Sequence, residues 1–161
     1  MIDPGTGNPI VDPEGKPVRE PSALEADAEW ARRRLAPMPV QGQIKTPDDV
    51  IEDLEVAKHL AARSAVIIRD ADKTKRAVGR LHAIAHGKAL RASTAKSAEL
   101  READAAEATL EMKTLLDAAE VAFDFAKNVA RSVESSTSAL QTQSKMVAIT
   151  YGLAGSGRGE S

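Results

Sequence analysis

The fold is decided by one uninterrupted stretch, MKTLLDAAEVAFDFAKNVARSVESSTSALQTQSKMVAITY, which runs from Met112 to Tyr151. Apolar or small residues recur in it at alternating intervals of four and three: Met112, Leu116, Ala119, Phe123, Ala126, Ala130, Val133, Thr137, Leu140, Ser144, Val147 and Tyr151. This period of 3.5 residues is typical of a helix with a narrow apolar seam, as in a coiled coil. At a rise of 1.5 Å per residue the helix would be roughly 60 Å long. Because that length exceeds the diameter of a small domain, the helix must lie along another long helix.

A second long helix is predicted earlier in the chain. Thr46-Pro47-Asp48-Asp49 combines an N-cap residue, a proline at the first helical position and carboxylates in the first turn. Apolar and small residues then recur from Val50 to Ala71 and, less regularly, as far as Gly87. A turn is expected between Gly87 and about Ser97. Two helices of matched length with a short connection predict a long antiparallel helical hairpin that is coiled-coil-like and spans residues 46–151.

The regions outside the hairpin are predicted to be simpler. All eight prolines fall within the first 47 residues, so residues 1–21 are expected to form an extended or disordered, proline-rich arm. Ser22-Ala-Leu-Glu25 matches a capping box and predicts a short helix over about 22–35, which Pro37 and Pro39 would end before a linker to residue 45. Residues 152–161 are predicted to be a flexible tail. The fold class is therefore all-α.

The composition argues against an enzyme. Alanine accounts for 29 of the 161 residues and only four residues are aromatic, so a globular core would be thin and paired helices are favoured over a sheet-based enzyme. There is no cysteine, which excludes disulfides and thiolate metal sites. His82 and His86 share a helix face, but Ala83 occupies the position where the HExxH motif needs a glutamate. We therefore predict no catalytic residue, no metal and no cofactor.

The sequence also lacks the signals of a membrane protein. No apolar run approaches 18 residues, and the first residues lack a basic segment followed by an apolar one. We therefore expect a protein without a membrane partner.

Charge is segregated along the chain. Residues 69–101 contain nine Lys or Arg against three acidic residues, and residues 102–124 contain seven acidic residues against one lysine. A basic bend could bind a phosphate backbone. When several cations on one surface neutralise phosphates, counterions are released from the nucleic acid, and this release provides the affinity. The candidate nucleic-acid contacts are Lys73, Arg76, Arg80, Lys88, Arg91 and Lys96. The alternative interpretation is a solvated, charged helix face.

The helix predicted over residues 112–151 also indicates self-association. Its apolar residues occupy two adjacent faces, and one partner helix covers only a narrow stripe. Residues 132–144 carry a single charge, Glu134, which fits packing on several sides, although a locally weak helix is the alternative. The predicted interface of a homo-oligomer consists of Met112, Leu116, Phe123, Val133, Leu140 and Val147.

The segment KSAELREADAAEATLEMKTLLDAAEVAFDFAKNVARSVESSTSALQTQSKMV, with the basic helix and bend before it, resembles small helical bacteriophage proteins. Among such proteins it is similar to the recombination mediators of T4-type phages, and the similarity covers roughly residues 50–151. It implies a homo-oligomer that binds single-stranded DNA and helps to load a recombinase. The aromatic residues that this family carries around the bend are missing here, so the resemblance does not extend to base stacking.

Two functions are therefore predicted. One is an oligomeric, non-enzymatic phage accessory protein that binds single-stranded DNA, a recombinase or both in the cytoplasm of a bacterial host. The other is a structural or assembly protein of a phage particle, in which the hairpin and the arm contact other virion proteins. The basic bend favours the first. The arm with its isoleucines and valines, and the uncharged stretch of residues 132–144, favour the second.

Overall fold

The computed structural model describes residues 1–35 and 46–156, with side chains up to residue 152. It contains four helices: α1 (Pro21–Arg33), α2 (Pro47–Ala92), α3 (Ala98–Ala108) and α4 (Leu110–Ser156). Helices account for 80% of these residues, and no strand occurs among them. The predicted all-α class is confirmed.

Helices α2 and α4 lie side by side and run in opposite directions. Near the end of α2, a Cβ atom added to Gly79 would lie 3.7 Å from Cδ1 of Leu116, which is near the start of α4. Near the start of α2, Ile51 and Leu54 line a shallow cavity together with Thr137, which is late in α4. That distance is an ordinary van der Waals contact, so α2 and α4 approach each other closely at Gly79 and Leu116.

Helix α1 lies across this pair and completes the larger of two hydrophobic clusters. This central cluster consists of Leu24, Ala28, Ala31, Leu60, Ile67, Ala71, Ala122, Ala126, Val129 and Val133. Half of these residues are alanines, whose small side chains let helix backbones approach closely but remove little apolar area from water. Three helices rather than two are therefore needed to build this core.

One of the two predicted helix starts agrees with the structure, and the other does not. Thr46 caps α2 as predicted: its side chain accepts from the Asp49 N–H, and the Asp49 carboxylate accepts from the Thr46 N–H. The capping box predicted for Ser22 and Glu25 is wrong, because α1 begins at Pro21 and its N-cap is Glu20. Proline is favoured at the first helical position, so it moves the start of the helix one residue earlier. Pro37 and Pro39, predicted to end α1, lie outside the described residues.

The region after α2 also differs from expectation. Helix α2 continues to Ala92, so the connection is limited to residues 93–97. Thr109 then separates α3 from α4, with φ −113° and ψ 12°, where the sequence predicted no interruption. The Thr109 hydroxyl donates to the Ala105 carbonyl oxygen at 2.8 Å, and such back-bonding by threonine bends helices. At its other end α4 extends to Ser156, so the helix includes the first residues of the predicted tail.

Residues 1–20 fold back on the helices, whereas the sequence predicted an extended or disordered arm. Ile10 is only 1% exposed, and it joins Val18, Ala77, Val78 and Met112 in a second hydrophobic cluster. Two turns shape the arm, with Gly7 and Gly15 at φ 71° and 78°, a conformation that favours glycine. The arm is ordered because its β-branched residues find an apolar surface between α2 and α4.

Candidate nucleic-acid interface

The second half of α2 and the connection after it carry the predicted phosphate contacts. Arg76, Arg80, Lys88 and Arg91 lie on α2, and Lys96 lies in the connection. All five side chains are exposed, whereas Lys73 is half-buried. The structure therefore exposes five of the six candidates along the second half of α2 and the connection after it.

The side chain of Lys73 is paired with two carboxylates of the N-terminal arm. Its Nζ atom lies 3.0 Å from Oδ2 of Asp12 and 3.2 Å from Oε2 of Glu14. The hydrogen bonds to Asp12 and Glu14 raise the pKa of Lys73 above its usual 10.5. Lys73 thus holds two carboxylates of its own chain and is not available to a phosphate while the arm is docked.

The contact between the arm and Lys73 was missed in the sequence, although a signal was present. In Asp12-Pro13-Glu14-Gly15-Lys16 an aspartate precedes a proline and a glycine, which is the pattern of an Asx turn. The Asp12 carboxylate accepts the N–H groups of Glu14 and Lys16, both at 2.9 Å. Recognising this turn would have predicted local order in the arm.

Arg76 makes an ion pair within α2. Its Nε atom lies 2.9 Å from Oδ2 of Asp72, four residues earlier, and its side chain is 73% exposed. Ion pairs this exposed contribute little to stability, so Arg76 can exchange its partner for a phosphate at small cost.

The remaining four candidates, Arg80, Lys88, Arg91 and Lys96, form no ion pair within residues 1–35 and 46–156. Two acidic residues of α3, Glu102 and Asp104, have other partners. Glu102 Oε1 is 3.3 Å from Nε2 of His86, and Asp104 accepts from the Ser93 hydroxyl at 2.6 Å. Four unpaired cations at one end of α2 form the strongest candidate site in the part of the chain that the structure describes.

The residues predicted to form an oligomer interface lie largely in the chain's own core. Met112 and Val133 are buried in the two hydrophobic clusters, and Leu116 and Phe123 pack against them. Leu140 is buried and Val147 is partly buried. The seam was assigned to a second copy because the sequence did not show that α1 and the arm cover the α2–α4 pair. Four of the six residues thus pack within the chain, and self-association through this seam stays a prediction.

Phe123 has a further role that the sequence did not reveal. The Nζ atoms of Lys75 and Lys127 lie 4.8 Å and 5.2 Å from the centre of its ring. Cations over an aromatic face are attracted by the ring quadrupole. Lys75 is thus held against the α2–α4 contact and does not extend the basic surface.

Two other sequence features can be placed. The rings of His82 and His86 lie 5.8 Å apart, and no group of three potential metal ligands occurs among the residues that the structure describes. Within those same residues, no helix combines the length and the apolar character needed to cross a membrane.

Comparison with protein families, with characterised proteins and with solved structures finds no match to this chain.

Proposed function

We propose that the protein is a non-enzymatic accessory protein of a bacteriophage, which self-associates and binds single-stranded DNA, a recombinase or both in the host cytoplasm. Its scaffold is the long antiparallel hairpin of α2 and α4, with coiled-coil-like packing. The observation that carries the proposal is a group of exposed cations, Arg80, Lys88, Arg91 and Lys96, which form no ion pair with any residue that the structure describes. The resemblance of residues 50–151 to the recombination mediators of T4-type phages supports the same function.

The chemistry of this surface favours the sugar–phosphate backbone over the bases. Unpaired cations gain affinity by releasing counterions from phosphates, and this gain does not depend on sequence. Stacking of bases needs exposed aromatic rings. Phe123 and Phe125 pack against the central cluster, Trp30 lies on α1 and Tyr151 lies near the end of α4. The proposed binding is therefore independent of base sequence and sensitive to salt.

The test is fluorescence anisotropy with a labelled single-stranded oligonucleotide at several salt concentrations. Four phosphate contacts on a single strand predict a slope of about −3 in a plot of log K against log salt. The double variant Arg80→Glu/Arg91→Glu should reduce the slope and weaken binding by at least about tenfold. Lys58→Glu/Arg131→Glu, which reverses two exposed charges elsewhere on the helices, is the matched control and should bind like the wild type. No binding at low salt, or equal loss in both variants, would overturn the proposal.

A structural or assembly role in a phage particle is the second candidate. Three exposed apolar side chains, those of Met146, Ile149 and Tyr151, lie near the end of α4. Clustered exposed apolar residues mark contacts with other proteins. Sedimentation velocity of the wild type and of Met146→Ser/Ile149→Ser tests whether this end joins copies of the chain. An oligomer that dissociates in the variant, together with absent DNA binding, would favour the assembly role.

A further inference from the structure

A groove lies near the basic surface, but its lining is mainly apolar and acidic. It has a volume of about 650 Å³, within the roughly 300–1,000 Å³ of binding pockets. Three parts of the chain form it: the first turn of the arm (residues 3–6), the late part of α2 (residues 81–88) and the junction of α3 and α4 (residues 107–112). Thr109, which separates α3 from α4, is one of the residues that line it.

The large apolar side chains that line the groove, which we call its floor, are those of Leu81, Ile84, Leu110 and Met112. Ile84 and Leu110 are 54% and 62% exposed. A single exposed aliphatic side chain is ordinary on a protein surface. Two of them lining one concave groove beside further apolar side chains form a patch of the kind that other proteins cover.

The rim of the groove is acidic. Asp3, Glu107 and Glu111 line it, and Lys88 is its only cation. Glu107 and Glu111 are exposed and form no ion pair within the described chain. The Asp3 carboxylate accepts from the Gly5 N–H and the Thr6 hydroxyl. A phosphate backbone would be repelled by three carboxylates, so the groove does not continue the proposed nucleic-acid surface.

We propose that this groove binds a basic amphipathic segment of another protein. The aliphatic or aromatic side chains of such a segment would cover Ile84 and Leu110, and its lysines or arginines would pair with Glu107, Glu111 and Asp3. Charge complementarity selects this occupant. An acidic segment would be repelled by the rim carboxylates, and a purely apolar segment would leave them without partners. The groove shares Lys88 with the proposed DNA-binding surface, whereas Arg80, Arg91 and Lys96 do not line it, so the two proposals can be tested separately.

The probe for the test is a fluorescein-labelled peptide of 14 residues built from leucine and lysine, with leucines spaced three and four apart. A peptide of the same pattern with glutamate in place of lysine is the charge control. Saturable binding of the lysine peptide, at least about tenfold tighter than that of the glutamate peptide, is expected.

Two double variants locate the binding. Ile84→Ser/Leu110→Ser removes the apolar floor, and Glu107→Gln/Glu111→Gln removes two rim charges; each should weaken binding about tenfold. The matched controls Ile51→Ser/Val66→Ser and Glu52→Gln/Glu55→Gln change exposed residues of the same kind outside the groove and should bind like the wild type. All substituted side chains are exposed, so thermal unfolding should be unchanged and should verify the fold.

Three outcomes would overturn the inference: no saturable binding, equal binding of both peptides, or groove variants that bind like the wild type. DNA binding by the groove variants is measured alongside. Because Arg80 and Arg91 are retained in them, loss of peptide binding with intact DNA binding separates the two proposals.

Discussion

Oδ2 of Asp12 lies 3.0 Å from Nζ of Lys73, and this contact joins residues 61 positions apart in the chain. The second oxygen of the same carboxylate accepts two backbone N–H groups of the arm. One side chain thus shapes the turn in the arm and fastens the arm to α2. Thr74, the neighbour of Lys73, adds a second contact, because its hydroxyl donates to the Arg19 carbonyl oxygen at 3.2 Å.

Asp12→Asn should loosen the arm. The amide lacks the charge that attracts Lys73, and its nitrogen cannot accept from that ammonium. We expect hydrogen exchange at the Ile10 and Val18 amides to accelerate by about tenfold, since a lost charge-assisted bond lowers the cost of local opening. Mass spectrometry of exchanged peptides measures this rate. Glu14→Gln is the control with the smaller expected effect, because the Glu14 side chain is exposed and only its backbone N–H takes part in the turn. Unchanged exchange in Asp12→Asn would show that Ile10 and Val18 alone hold the arm.

The attachment of the arm should depend on pH in acid. The Lys16 and Glu14 N–H groups and Lys73 keep the pKa of Asp12 below its usual 3.8. A carboxylate whose pKa is lower in the folded state stabilises that state above its unfolded pKa, and the stabilisation is lost as pH falls through the folded pKa. Exchange of the arm amides, corrected for intrinsic rates, should therefore be constant above about pH 5 and rise below about pH 4. Asp12→Asn should flatten this change, and an identical profile in wild type and variant would contradict the assignment.

Ile67→Ala should destabilise the whole domain. Ile67 is 2% exposed and belongs to the central cluster between α1, α2 and α4. Removing a buried aliphatic side chain to alanine typically costs about 2–5 kcal/mol in free energy of unfolding. Urea unfolding followed by circular dichroism measures this change. Val66→Ala, at an exposed neighbouring position, should cost less than about 1 kcal/mol. Equal effects of the two substitutions would mean that α1 does not cover this face.

Ser64→Ala should leave the protein as stable as the wild type or more stable. Ser64 is 3% exposed, and its hydroxyl has no hydrogen-bond partner among the described residues. A buried hydroxyl without a partner costs about 1–3 kcal/mol, which alanine avoids at nearly the same volume. Ser132→Ala is the control, because the exposed Ser132 hydroxyl donates to the Asn128 carbonyl oxygen. A loss of more than about 1 kcal/mol in Ser64→Ala would show that the hydroxyl is satisfied.

The sequence predicted those features that depend on neighbours along the helix. Apolar spacing located both long helices, and Thr46 as N-cap with Pro47 and two carboxylates after it located the start of α2, because each signal lies within one or two helical turns. The same reasoning placed Arg80, Lys88, Arg91 and Lys96 at the surface. It failed at Thr109, where a threonine hydroxyl bends the chain within a stretch, residues 88–151, that has neither glycine nor proline.

The remaining differences come from contacts between distant parts of the chain. The burial of Ile10 depends on Val78 and Met112, and the pairing of Lys73 depends on Asp12. No local pattern in α2 shows that an arm will cover it, so Lys73 was grouped with the free cations and Met112 with an intermolecular seam. The groove at the α3–α4 junction was missed for the same reason, since it is assembled from three separate segments.

The docked arm also has a consequence for the order of folding. Ile10 and Val18 are synthesised before either of the surfaces that bury them, and Met112 follows Val18 by more than half of the chain. The entropy of closing so long a loop has to be offset by contacts that exist only after α4 has paired with α2. Docking of the arm is therefore a late step in folding, and a nascent chain released before α4 is complete exposes the apolar residues of the arm to solvent and to other nascent chains.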